Sequence, residues 1–215
     1  GSQSRYQAAL LAGVLDDEIM AVDVPSARKG ESRQVSVDEH PRAQSDFSAL
    51  SRLKPLFEGG VVTAGNASGI NDGAAALVLG NREIGLAHGV APMARILSSA
   101  VVGVEPRIMG IGPHQAIVVA LQRAGIGLEQ VDLIEINEAF APQVLGCLKA
   151  LELSFDDPRV NPNGGAIAMG HPLGASGARL VLSACRTLQR QQQRYAVVSL
   201  CVGVGQGVAM VIERL

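Results

Sequence analysis

The sequence predicts an α/β fold built on a mixed sheet with helices packed on it. Three observations point there. Residues 91–215 alternate strand-like and helix-like segments and close on two strand-like runs joined by a glycine-rich turn. Of 215 residues 47% are hydrophobic, only 3% are aromatic and 25 are glycine, so the interior is made of Ala, Val, Ile and Leu with many tight turns. The length suits one large or two small domains, each able to bury a core.

The elements follow in order. Residues 4–19, "SRYQAALLAGVLDDEI", read as an alanine-rich helix, and residues 25–57 as a charged surface excursion with short helices. "GGVVTAGNASGINDGAAALVLG", residues 59–80, reads as a Gly/Asn/Ser loop leading into a buried strand. "NREIGLAH" is then a short helix closed by Gly89, placed where a left-handed cap sits, which puts a boundary near residue 90. "MARILSSAVVGV" reads as a strand. "HQAIVVALQRAGI" reads as a helix with Ile117, Ala120, Leu121 and Ala124 on one face. "VDLIEI" is a buried strand and "PQVLGCLKALEL" a helix. "GARLVLSACRTLQR" is a helix whose Leu180, Val181, Ala184 and Leu188 share a face. "YAVVSLCVGVGQGVAMVIERL" makes two strands around a turn at Gly203, Gly205 and Gly207.

Bulk properties exclude several function classes. A net charge of -2 without a long basic run offers no footprint for nucleic acid. The longest apolar runs, "AAALVLG" and "AIVVAL", fall far short of the roughly 18 to 20 residues that a spanning helix needs, so no membrane contact is expected. The opening residues lack a signal-peptide pattern, and the expected location is cytoplasmic. Cys147, Cys185 and Cys201 are odd in number and widely spaced, which argues for free thiols rather than disulfides or a metal site.

Chemistry concentrates in three places. "GGAIAMGHPLGASGAR", residues 164–179, sets His171 among glycines, as expected where backbone turns sharply or approaches a ligand. Its imidazole titrates near neutrality and can take a proton from a thiol or hold an oxyanion. Cys201 ends a strand beside a glycine turn, where a thiol can act as base or nucleophile; the other reading is a small buried thiol filling core space. Asn137 and Glu138 follow a buried strand, the place where α/β folds set their sites, although Asn137 also suits a helix cap.

Together "VTAGNASGINDGAAALVL", "PRIMGIGP", "NEAFA", "NGGAIAMGHPLGASGAR" and "CVGVGQGVAM" resemble the thiolase family of acetyl-CoA acyltransferases, over essentially the whole chain. The resemblance implies a thiolase-like α/β fold with helices on both faces of the mixed sheet. Residues 91–215 would be the C-terminal domain of a duplicated fold, and residues 1–90 its loop region with the end of the N-terminal half. It implies an acyltransferase that cleaves 3-ketoacyl-CoA with a second CoA, or runs the reverse condensation. "CVGVGQG" resembles degradative members, including those acting on 3-oxoadipyl-CoA.

By that resemblance His171 activates the nucleophile and helps hold the thioester oxyanion, and Cys201 moves the proton on the α-carbon. Asn137 fixes a water in the first oxyanion hole, and the amide of Gly203 serves the second. Ala64 and Ser68 contact CoA, with Arg42 toward its nucleotide phosphate end. CoA is a substrate, and no permanently bound cofactor is implied. The family's nucleophilic cysteine and second histidine belong to segments of its N-terminal half that no motif here matches. The chain is therefore expected to be inactive alone and to associate, as a homo-oligomer or with that half. A non-catalytic CoA-binding or interaction module is the other reading.

Overall fold

The computed structural model describes residues 1–26, 28 and 30–215. Helix α1 (Ser2–Leu11) buries Tyr6 and Ala9 and stops before Gly13, which turns left-handed at φ +67°. A two-stranded antiparallel hairpin, β1 (Val22–Pro25) with β2 (Ser32–Val35), follows. Short helices expected in this region are thus one helix, α2 (Phe47–Ser51), beside a hairpin. The Asp46 carboxylate caps α2 by accepting from Ala49 N at 2.6 Å. Helix α3 (Arg82–Ala87) begins on Asn81, which accepts from Glu83 N at 2.8 Å, and ends at Gly89 with φ +71°, as its sequence implied.

The buried strand expected at residues 74–80 does not form. That backbone is irregular and solvent-exposed, with Val78 fully and Leu79 73% accessible. A strand needs a neighbour for its backbone groups, and this apolar run pairs with none among the described residues.

The rest builds the main sheet: β3 (Ala94–Gly103), α4 (Gly112–Ala124), β4 (Leu133–Ile136), α5 (Ala141–Ala150), the single turn α6 (Ala166–Met169), α7 (Ser176–Gln191), β5 (Tyr195–Val202) and β6 (Gln206–Arg214). Strand order is β3-β6-β5-β4, with β4 parallel to β5 and the other pairs antiparallel. Side chains on β5 alternate between faces. Val197 joins Ile117 and Leu121 of α4 and Cys147 and Leu148 of α5 on one face. Ala196 and Val198 meet Leu180, Ala184 and Leu188 of α7 on the other. The mixed sheet therefore carries helices on both faces.

Beyond β4 the sheet is extended by a single residue and a side chain. Val160 pairs in parallel with Ile134. The Asn161 amide then continues the ladder, accepting from Ile136 N at 2.8 Å and donating to Ile136 O at 2.9 Å. This pairs the backbone of Ile136 at the end of β4, where Asn137 emerges.

Candidate active site

The parallel strands β4 and β5 end together. Ile136 is in register with Ser199, and Asn137 N donates to Ser199 O at 2.9 Å. Asn137, one residue past β4, thus lies at the same sheet edge as Cys201, the penultimate residue of β5, and the exposed turn residue Gly203. In an α/β sheet this carboxyl end is where ligands bind.

His171 reaches that edge from another direction. Its Nε2 lies 3.3 Å from Asn137 Nδ2, and its Nδ1 lies 2.6 Å from Ser176 Oγ in the first turn of α7. The Ser176 hydroxyl donates to Pro172 O at 3.0 Å. The backbone is clamped as well: His171 N donates to Gly69 O at 3.1 Å and to Asn71 Oδ1 at 3.2 Å. Gly170 permits this approach. Its φ is +97°, and a Cβ there would sit 2.5 Å from Asn71 Cγ.

Electrostatics favour a neutral ring. Burial, and secondarily the Arg179 guanidinium, hold the His171 pKa below its ordinary value. Arg179, half-buried on α7, feels the charges of Glu135, Glu138 and Glu18. Burial pushes the Glu135 carboxyl up to about 8 against the pull of Arg179. Cys201 is 8% exposed, and burial raises its thiol pKa, partly opposed by a backbone hydrogen bond. The hydrogen bonds of His171 run to Asn137, Ser176, Gly69 and Asn71, not to Cys201. Asn137 is 1% exposed, and its Oδ1 has no hydrogen-bond partner among the described residues.

The loop holding Ala64 and Ser68 is strapped over the residues just after Asn137. Ala67 pairs with Phe140, Ser68 N donates to Ala139 O at 3.0 Å, and Ala141 N donates to Asn66 O at 2.8 Å. Ala64 and the exposed Arg42 line a cavity of about 410 Å³ with Arg5, His40, Glu138 and Asn161. Ser68, Asn137, His171, Cys201 and Gly203 do not line it. Six of the seven sequence-derived positions therefore fall into two neighbouring groups. One is the sheet edge with Asn137, His171, Cys201 and Gly203. The other is the cavity with Ala64 and Arg42, walled by Glu138, while the Ser68 strap runs between residue 139 and His171.

Cys147 and Cys185 are free and buried, and burial pushes the Cys147 thiol up to about 11. Sequence reasoning missed Asn71, Asn161, Ser176 and Arg179. For Ser176 a signal existed, a hydroxyl residue at the start of the helix that follows His-Pro. Among the described residues no group of three or more His, Cys, Asp or Glu is placed to hold a metal, and no helix is long and apolar enough to cross a membrane.

Two family descriptions match the chain: "Thiolase, C-terminal domain" over residues 90–214 and "Thiolase, N-terminal domain" over residues 1–83. The chain belongs to the thiolase family. It is 51% identical over 215 residues to the Escherichia coli K12 3-oxoadipyl-CoA/3-oxo-5,6-dehydrosuberyl-CoA thiolase, covering 100% of this chain and 53% of that protein. It is 50% identical over 215 residues to the same organism's acetyl-CoA acetyltransferase, covering 100% of this chain and 54% of that one. A crystal structure of human mitochondrial 3-ketoacyl-CoA thiolase in complex with CoA superposes with a TM-score of 0.89 at 42% identity, covering 100% of this chain and 52% of that one. This thiolase chain thus spans about half the length of the relatives it matches.

Proposed function

We propose that this chain supplies the acid/base half of a thiolase active centre acting on 3-ketoacyl-CoA. The carrying observation is the contact of His171 Nε2 with Asn137 at the carboxyl ends of β4 and β5, where Cys201 and Gly203 also lie. A lowered pKa keeps His171 neutral and able to accept a proton at pH 7. Cys147 and Cys185 stand on helices and match no nucleophile motif of the family, so in this reading the nucleophilic cysteine comes from another segment of polypeptide.

In this reading His171 takes the proton of that nucleophile's thiol, and the thiolate attacks the 3-keto carbon. Asn137 holds a water that, with the His171 ring, stabilises the thioester oxyanion formed as negative charge reaches C2. The bond between C2 and C3 breaks, its electron pair stays on C2, and the Cys201 thiol delivers a proton there to release acetyl-CoA. The Cys201 thiolate then deprotonates an incoming CoA, whose sulfur displaces the nucleophilic cysteine from the acyl thioester. Proton return from His171 completes the cycle. The Gly203 amide serves the second oxyanion. The strap and cavity with Ser68, Ala64 and Arg42 hold CoA, and no permanently bound cofactor takes part. Residues 91–215 act as the C-terminal domain in a cytoplasmic oligomer. Near-equal identity to a 3-oxoadipyl-CoA thiolase and an acetyl-CoA acetyltransferase supports the 3-ketoacyl-CoA class rather than one chain length.

The separation of the cavity from His171 supports a second reading, a CoA-binding module without catalysis. The test measures the mass of the native gene product and its thiolysis of acetoacetyl-CoA and 3-oxoadipyl-CoA, with His171→Ala and Cys201→Ala made in the active form. Each substitution is expected to lower turnover by about 10² to 10⁴. Near-normal turnover in either variant rejects the assigned roles. CoA binding without thiolysis, even with a thiolase N-terminal half added, establishes the module.

A further inference from the structure

We propose that Ser176 is a positioning residue that places the imidazole proton of His171 on Nδ1 and so leaves Nε2 as the basic nitrogen at the sheet edge. The inference rests on the reading of His171 as the base and asks what makes the correct nitrogen available.

A serine hydroxyl has one hydrogen to give. In Ser176 it goes to Pro172 O at 3.0 Å, the carbonyl one helical turn back. The contact of Ser176 Oγ with His171 Nδ1 at 2.6 Å then needs its hydrogen from the ring, so Nδ1 is protonated. A neutral imidazole carries one ring N–H, which makes Nε2 an acceptor. Asn137 presents to it a donor, Nδ2, at 3.3 Å. Each link of the chain Asn137–His171–Ser176–Pro172 therefore pairs one donor with one acceptor, and the direction of donation is the same throughout.

The arrangement is rigid. Ser176 is 1% exposed, so water does not compete for its hydroxyl. Pro172 O also accepts from Ala175 N and Ser176 N, both at 2.9 Å, which pins the carbonyl to the start of α7. The ring's far side is held through its backbone by Asn71 and Gly69. An imidazole free in water interconverts between its two neutral forms. Here the hydrogen bond at one nitrogen selects which is populated, as it does for metal-bound histidines.

The test is two-bond ¹H–¹⁵N correlation spectroscopy on the 215-residue chain with ¹⁵N-labelled histidine, at a pH where the ring is neutral. His171→Gln assigns the signal. The expected wild-type pattern has a pyrrole-like Nδ1 and a pyridine-like Nε2. Ser176→Ala is expected to move the ring toward the Nε2-protonated pattern, and Ser176→Thr, which restores the hydroxyl, to return it. A wild-type ring protonated on Nε2, or a pattern unchanged in Ser176→Ala, overturns the proposal. If Ser176→Ala does not fold, the wild-type and Ser176→Thr spectra decide it, since both must show the Nδ1-protonated ring. The readout is independent of turnover. A correct tautomer combined with normal thiolysis in His171→Ala would reject the catalytic reading and leave the positioning role of Ser176 standing.

Discussion

Replacing Gly170 with alanine isolates the contact that lets His171 approach its partners. Gly170 has φ +97° and ψ 169°, a region open essentially to glycine alone, and holding another residue there costs about 1–3 kcal/mol. The added Cβ would lie 2.5 Å from Asn71 Cγ, so Asn71 must move and its hydrogen bond from His171 N is lost, about 1 kcal/mol more. The sum is about 2–4 kcal/mol, a large share of the roughly 5–15 kcal/mol that keeps a domain folded. Gly174, four residues on, is the control: a Cβ there meets nothing within 4 Å, and alanine should be neutral. Urea unfolding followed by circular dichroism reads both. With a slope of about 2–3 kcal/mol/M, the Gly170→Ala midpoint should fall by roughly 1 M. The His171 amide should also lose protection from hydrogen exchange. A Gly170→Ala midpoint equal to wild type, or an equal loss in Gly174→Ala, would refute the claim that close approach is why glycine occupies position 170.

Two further outcomes are expected. Asn161→Ala removes a buried amide that pairs both backbone groups of Ile136 and reaches Glu138 at 3.3 Å, and should destabilise by about 2–4 kcal/mol in the same urea assay. The Glu135 carboxyl titrates near 8 in the folded chain against an ordinary value of 4.5, so between those values the folded state holds a proton that the unfolded chain has released. This group's stabilising contribution is complete below pH 4.5 and is lost as pH rises toward 8, with a slope of at most about 1.4 kcal/mol per pH unit. Glu135→Gln should remove that slope; thermal midpoints with the same pH dependence in both proteins would contradict it.

Much of the frame was legible because it follows from periodicity. The helical faces read for α4 and α7 anticipated which of their side chains meet the sheet. The β1–β2 hairpin was not legible, since its residues are mostly exposed and leave no apolar rhythm. The run at 74–80 misled for the opposite reason: an apolar β-prone stretch forms a strand only beside a neighbour, and none of the described residues supplies one. At the site, His171 stood out by its glycines and Asn137 by its strand end. Asn71 stayed hidden because its contact with His171 joins positions 100 residues apart.

The amino-acid order alone determined the α/β class, the free thiols and the short roster of polar residues at strand ends, since these depend on spacing along the chain. Only the tertiary structure decided which of those residues touch. The link of Asn137 to His171, the Ser176 hydroxyl beneath the ring and the Asn161 amide acting as a strand are set by distances between segments remote in sequence. The reason is physical: a hydrogen bond depends on a few tenths of an ångström between donor and acceptor, and local residue preferences carry no information on that scale.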